Sequence, residues 1–326
     1  MLRPEYFQVG LVQIRLPIFF PSVSSVKTNL RPAEYLSVLC SLSKKQFLVS
    51  AYDLYNCEPD EKGNLLKELA EAKGNGAAIL MDSGNYESFW HRESDKWKQE
   101  DFHKVLSAFE CSFAFGFDEQ MPPENRDDHI KLMHARYEKD RSINDQVYII
   151  PIVHGKHEDL PGLCSGLVGI TGVDFVAVPE RCLGDGIIAR ALCVRAIREA
   201  LDATGKYIGL HLLGTGNPIS IATYTRMGAD SFDGLEWCQT CVDHETNLLF
   251  HFTQADFFMD QTDWANMDVP FLAKTLAHNL DFYDKWMEEL SSSVHSNRMD
   301  EFCRKNFPNK IGCRSFRATM YSFKIS

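Results

Sequence analysis

Two aspartates in this chain each close an apolar run: Asp82 in Ile79-Leu80-Met81-Asp82-Ser83-Gly84, and Asp233 in Gly228-Ala229-Asp230-Ser231-Phe232-Asp233-Gly234. Short buried strands that deliver a carboxylate at their C-terminal ends are how a (β/α)8 barrel assembles an active site. Two carboxylates facing one pocket permit a division of labour. One attacks an electrophilic carbon while the other, its pKa raised by burial or a neighbouring charge, moves protons. That chemistry suits substitution at an anomeric carbon through an oxocarbenium-like transition state, and a glycosidase fits it equally well. An Asp before Ser-Gly is also a common turn or helix cap, so recurrence carries more weight than either site alone. Taken in order, the ends of the apolar runs supply Asp82, Asp118, His154, Glu180, the Gly214-Thr215-Gly216 turn and Asp233. Separate caps do not account for a polar ring of this kind.

The elements that must position these groups are eight β-type runs, at residues 18–21, 47–51, 78–81, 112–117, 147–153, 175–178, 207–213 and 231–233. Between them lie segments of helical periodicity, including 101–109, 127–141, 187–203 and 219–227. Alternating β and α units predict an α/β fold with a parallel sheet, and eight units favour closure into a TIM barrel. The expected organisation is an N-terminal extension over residues 1–16, the barrel over 17–258 and a C-terminal extension over 259–326. That extension reads as helical through 271–290 and ends in a basic, aromatic stretch at 316–323.

With 326 residues, 44% of them hydrophobic, the chain can bury one large core. No basic segment followed by an apolar one opens it, and no run reaches the roughly 18 apolar residues of a membrane span. Ten cysteines scattered through apolar or helical contexts suit reduced thiols better than a disulfide framework. The expectation is a cytoplasmic protein with no membrane partner. A formal net charge of −11 argues against non-specific nucleic-acid binding by the body of the protein. From Arg298 onward, however, Arg298, Arg304, Lys305, Lys310, Arg314, Arg317 and Lys324 face only Asp300 and Glu301, a local +5 that leaves −16 elsewhere. Such a tail is a candidate phosphate-contacting surface, with a solvated surface as the plainer alternative.

Several segments, in order, resemble the tRNA-guanine transglycosylase superfamily. Phe19-Phe20-Pro21-Ser22-Val23-Ser24-Ser25-Val26-Lys27-Thr28, followed by Leu30-Arg31-Pro32-Ala33-Glu34-Tyr35-Leu36, looks like its first strand and helix. Met81-Asp82-Ser83-Gly84-Asn85-Tyr86-Glu87 resembles the family's Asp-Ser-Gly-Gly-aromatic-Gln segment, and Ala114-Phe115-Gly116-Phe117-Asp118-Glu119 its strand-four Phe-Asp-Glu. Ala177-Val178-Pro179-Glu180 is similar to its Ala-Val-Gly-Glu. His211-Leu212-Leu213-Gly214-Thr215-Gly216-Asn217-Pro218 is similar to the segment before its last barrel helix, and Gly228 to Asp233 to the element ending in its nucleophile. The resemblance spans roughly residues 17 to 240 and implies a role for each matching position. Asp233 would form a covalent intermediate at C1′ of ribose or deoxyribose as guanine leaves, and Asp82 would serve as general acid and base for the departing and incoming bases. Asp118 would bind the guanine-like edge, with Glu180, backbone groups near Ala177 and the Gly214 turn completing the pocket. Tyr86 would cover it, core packing being the alternative for that ring. The target base would have to be flipped out of its stack to reach such a pocket.

The sequence also departs from the family pattern. Asn85 stands for the second Gly, Glu87 for the Gln, and His154, in Ile152-Val153-His154-Gly155, for the strand-five Gln of the base-binding shell. After Asp233 comes Gly234-Leu235-Glu236-Trp237-Cys238-Gln239-Thr240 in place of Cys-Val-x-Pro-Thr-Arg. These changes look more like the divergent bacterial and phage branch that inserts 7-deazaguanines into DNA. The expected partners are therefore a nucleic acid, DNA or tRNA, and a 7-deazaguanine base, with an accessory protein as a further candidate. No cofactor is required by this chemistry. The family's Cys-x-Cys-x2-Cys zinc site is absent; Cys238, Cys241, His244 and His251 are the weak substitutes, since they supply N and S ligands of the kind tetrahedral zinc accepts. Two other readings stay open: a nucleosidase or glycoside hydrolase on the same barrel, and a non-catalytic subunit of transglycosylase-like fold.

Overall fold

A computed structural model describes residues 1–308. The chain opens with a β-hairpin, β1 (Tyr6–Val9) and β2 (Val12–Arg15), and then alternates strands with helices. The order is β3 (Ile18–Val23), α1 (Pro32–Ser41), β4 (Gln46–Ser50), α2 (Ala51–Asn56), α3 (Pro59–Gly74), β5 (Ala78–Asp82), α4 (Asn85–Trp90), α5 (Gln99–Ala108), β6 (Phe113–Phe115), α6 (Arg126–Arg141), β7 (Tyr148–Ile150), α7 (Leu160–Thr171) and β8 (Phe175–Pro179). There follow α8 (Gly186–Asp202), β9 (Gly209–Leu213), α9 (Pro218–Met227), β10 (Ser231–Gly234), α10 (Glu236–Gln239), a second hairpin of β11 (Thr240–Asp243) and β12 (Leu248–His251), α11 (Phe271–His295) and α12 (Met299–Asn306).

Strands β3 to β10 form one eight-stranded sheet in which every pairing is parallel, in the order β7-β6-β5-β4-β3-β10-β9-β8. The two ends meet at a parallel bridge between Ile152 and Ala177, where Val153 N–H donates to Ala177 O (2.8 Å) and Ala177 N–H to Pro151 O (3.0 Å). This is the expected (β/α)8 TIM barrel. Among the described residues no helix is long and apolar enough to cross a membrane.

Side chains alternate across each strand, so the two parities serve different layers. Ile18, Phe20, Leu48, Ala78, Leu80, Phe113, Phe115, Ile150, Ile152, Phe175 and Ala177 fill the barrel interior. Phe19, Phe47, Val49, Ile79, Met81, Ile149, Val176, Val178, Leu210 and Leu212 face the helices in the larger core. Continued toward the C-terminal ends, the inward parity brings Ser22, Asp82, His154 and Asp233 to the open mouth. At the opposite end Val9, Ile14 and Leu16 of the N-terminal segment join the interior layer. The N-terminal extension over residues 1–16 therefore plugs the barrel floor.

The expected boundary at residue 258 divides the last β/α unit. Helix α11 buries Leu276, Leu280, Tyr283 and Leu290 in the main core, and Tyr283 stacks on Phe19 of β3 at 4.6 Å between ring centroids. It is the helical partner of β10, delayed in sequence by the β11–β12 hairpin, and α12 follows as the extension proper. Within α12 Lys305 pairs with Glu289 (2.8 Å). Lys310, Arg314, Arg317, Lys324 and the aromatic stretch at 316–323 lie outside the described residues.

Candidate active site

The barrel mouth holds a cavity of about 480 Å³. Its floor is apolar, from Leu48, Ile152, Pro179 and Leu213, and its walls carry Asp82, Glu87, Asp118, Glu180, Asp233 and Glu236. Asp82, Asp118, His154, Glu180, Gly214, Asp233 and Tyr86, all expected from sequence, line this one space. Ala177 does not reach it: its backbone N–H and C=O close the barrel, and its side chain lies one layer lower.

Asp233 ends β10 among hydrogen-bond donors. Ser22 Oγ donates to Oδ2 (2.9 Å), Gly214 N–H to Oδ1 (3.0 Å), and His211 Nε2 lies 3.0 Å from Oδ1. His211 Nδ1 contacts Ser231 Oγ at 2.7 Å, a geometry that fits Nε2–H donating to Asp233 while the serine hydroxyl donates to Nδ1. The Asp233 carboxyl is thus held in one orientation, and among the described residues no arginine or lysine pairs with it.

Asp82 sits in the opposite environment. Burial pushes its carboxyl well above the ordinary carboxylate range, Glu87, Asp118 and Asp233 add like charge, and the Gly84 N–H (3.0 Å) opposes the shift only partly. Gly84 is required here: its φ is +86°, and a Cβ would come within 2.5 Å of Tyr52 N. Behind Asp82 stand two more raised carboxyls. Burial and then Asp53 bring Glu87 to about 7, although Ser24 Oγ donates to it at 2.6 Å. Burial likewise brings Asp53 to about 6 against two hydrogen bonds from Ser25. Across the mouth, burial raises Glu236 to about 7; its carboxyl occupies the space where a Cβ on Gly216 or Gly234 would lie. The cavity therefore sets Asp233, surrounded by donors, against several carboxyls that burial pushes toward the protonated form.

Asp118 is different again. Burial would raise its pKa, but hydrogen bonds from His154 Nε2 (2.5 Å to Oδ2) and Asn85 Nδ2 (2.6 Å to Oδ1) outweigh it and hold the carboxyl below its usual range. Ser83 Oγ (3.2 Å) and Gln120 Nε2 (2.5 Å) complete the set. Burial opposes the charged imidazole of His154, but Asp118 and Cys182 raise its pKa to about 9. Glu180 reaches the cavity with its Oε1 already accepting from Arg190 Nη1 and Tyr224 Oη, both at 2.9 Å. Tyr86 stands at the rim, 41% exposed and edge-on to Trp90, so it is not a core ring. Phe89 and Trp90 beside it are also exposed, and Lys27 Nζ lies 4.0 Å over the Trp90 ring.

The four candidate zinc ligands do not converge. Cys238 lies in the main core and donates to Leu235 O, Cys241 packs with Ala255 and Met259, His244 Nε2 contacts His278 O, and His251 bonds Thr253 on the surface. Burial pushes both thiols up, away from the thiolate that zinc needs. Among the described residues no group of three or more His, Cys, Asp and Glu is placed to hold a metal ion.

His211, Glu236, Asp53 and Ser22 were not singled out by the sequence reading. Strand parity was the available signal for two of them: His211 lies two residues before Leu213 on β9, and Ser22 two after Phe20 on β3, both inward positions. No protein-family model matches the chain, and neither does any curated protein.

Proposed function

We propose that this chain is a transglycosylase that exchanges guanine in a nucleic acid, DNA or tRNA, for a 7-deazaguanine base. The observation that carries this reading is the contrast between Asp233 and Asp82 in one cavity: one carboxylate held by donors, the other buried among like charges so that it retains a proton. Asp233 attacks C1′ of the flipped nucleotide, the glycosidic bond breaks, and Asp82 delivers its proton to the departing base nitrogen. The product is a covalent aspartyl-nucleoside intermediate. The incoming base returns a proton to Asp82 as its nitrogen displaces Asp233 from C1′.

One observation favours a second reading. Both oxygens of Asp118 are occupied by protein donors, which leaves this carboxylate less free to accept a guanine edge. In a nucleosidase or glycoside hydrolase, water would resolve the same intermediate. Incubating the protein with duplex DNA and, separately, tRNA, with and without a labelled 7-deazaguanine, distinguishes them. Exchange leaves label in the nucleic acid; hydrolysis releases free base and no label enters. Denaturing electrophoresis should reveal a trapped adduct that disappears in Asp233→Asn. An adduct that persists in that variant removes Asp233 as nucleophile.

A further inference from the structure

The described cysteines of this protein are all free, and eight of the nine share one character: burial pushes Cys40, Cys57, Cys111, Cys164, Cys193, Cys238, Cys241 and Cys303 toward the inert, protonated thiol. Cys182 alone is shifted the other way: burial raises it, but His154, the Gly155 N–H and Arg181 together outweigh burial and favour the thiolate. The geometry behind this is a chain of contacts. Cys182 Sγ lies 3.9 Å from His154 Nδ1, His154 Nε2 lies 2.5 Å from Asp118 Oδ2, and Gln120 bridges from that same oxygen to Arg181 Nη2 (2.6 Å). A sulfur, an imidazole bonded through both nitrogens and a carboxylate behind it form the arrangement in which a thiol becomes a nucleophile. Cys182 is also only partly buried, unlike Cys164 and Cys193 nearby. It does not line the cavity, so the mechanism above makes no use of it.

We propose that Cys182, held by His154 and Asp118, is a reactive thiolate and a site of covalent modification by soft electrophiles such as alkyl halides. With an alkyl halide the sulfur lone pair forms the S–C bond as the carbon–halogen bond breaks and halide leaves. No proton moves, and His154 keeps its own. The product is an uncharged thioether, so the imidazolium loses one of its two anionic neighbours and retains only Asp118. The charged and titratable groups facing the sulfur are His154 after β7, Arg181 of the turn after β8, and Cys193 of α8. This inference does not depend on which reaction the cavity performs.

Iodoacetamide is the probe, applied to the full native chain and read by peptide mass spectrometry. At pH 7 Cys182 should be alkylated at least tenfold faster than Cys40 and Cys57, the other part-exposed cysteines among the described residues. Its rate should rise clearly less steeply between pH 6 and pH 8 than that of an ordinary thiol, which gains about tenfold per pH unit there. His154→Gln should slow Cys182 to the rate of Cys57. Should that variant fail to fold, the wild-type pH profile and the histidine resonances decide: alkylation should move the His154 titration to lower pH. Equal rates at all three cysteines, a tenfold rise per unit at Cys182, or an unmoved His154 titration would each overturn the proposal.

Discussion

Asp230, just before β10, and Asp233, within it, stand three residues apart and lie toward opposite ends of the barrel. Asp230, on the plugged side, is fully buried and saturated: Arg3 Nε at 2.6 Å, Tyr207 Oη at 2.5 Å, the Leu210 N–H at 2.9 Å and Arg198 Nη1 at 3.4 Å. Arg3 also caps Thr225 O and Ala229 O, tying the N-terminus to the turn before β10. Asp233, on the cavity side, accepts from Ser22 Oγ and the Gly214 N–H, has His211 Nε2 at 3.0 Å, and has a face open to the cavity. The same residue type thus serves cohesion where arginines pair with it and, in the proposed function, chemistry on the cavity side. This is the division between bottom and top faces expected of a barrel enzyme.

Breaking each aspartate in turn should separate the two roles. Asp233→Asn keeps the shape and most of the hydrogen bonds but removes the nucleophile; adduct formation should fall by roughly 10⁴-fold, about 5 kcal/mol of barrier, with the unfolding midpoint nearly unchanged. Asp230→Ala should do the reverse. Arg3, largely buried, is then left without its counter-ion while Arg198 keeps Asp202 (2.9 Å), a loss of about 3–5 kcal/mol, and the folded fraction reacts at a near wild-type rate. Urea titration and adduct kinetics on both variants measure the four numbers. Loss of stability in Asp233→Asn equal to that in Asp230→Ala would dissolve the distinction.

How far the sequence revealed this division depends on the residue. The apolar runs gave all eight strands because buried parallel strands are rich in β-branched and aromatic residues on both faces. Helix α3 was missed because only Leu65 and Leu69 of its sixteen residues are buried, too few to imprint a period. The β1–β2 hairpin was read as an extension because Val9 and Ile14 find their core only in the closed barrel. At the site, Asp82, Asp118, His154 and Asp233 were legible as polar ends of apolar runs. Glu87, Asp53 and Glu236 were not, since what marks them is mutual burial of acids distant in sequence. Asp118 was found despite a break in parity: Phe117 N–H donates to the buried Asp140 (2.7 Å), which turns Phe117 outward and the next residue in.

The cluster behind Asp82 extends the contrast to pH. Glu87 has a folded pKa above its ordinary value, so it stabilises the fold below pH 4.5 and loses that contribution as pH rises through about 7. Glu87→Gln cannot titrate. The variant should therefore gain on wild type between those limits, by roughly 1–3 kcal/mol at pH 8, in denaturation curves recorded at pH 5 and pH 8. Curves that remain parallel across this range would mean that Glu87 is charged in the native protein, its charge then adding to the like charge that holds the proton on Asp82.

The smallest effects should test the comparison most finely, because they remove one neutral donor from each aspartate. Tyr207→Phe deletes the hydroxyl on Asp230, where Arg3, Arg198 and a backbone N–H remain. About 1 kcal/mol of stability should go, visible as a drop of a few degrees in melting temperature, and adduct formation should stay as fast. Ser22→Ala deletes the one hydroxyl on Asp233 Oδ2, the oxygen without His211 or Gly214 on it. An attacking carboxylate with one oxygen unrestrained spends less time aligned with C1′, so the rate should fall by about tenfold with a smaller change in melting temperature than Tyr207→Phe produces. If Ser22→Ala instead costs stability and spares the rate, its hydroxyl serves the fold, and orientation of Asp233 must come from His211 and the Gly214 N–H alone.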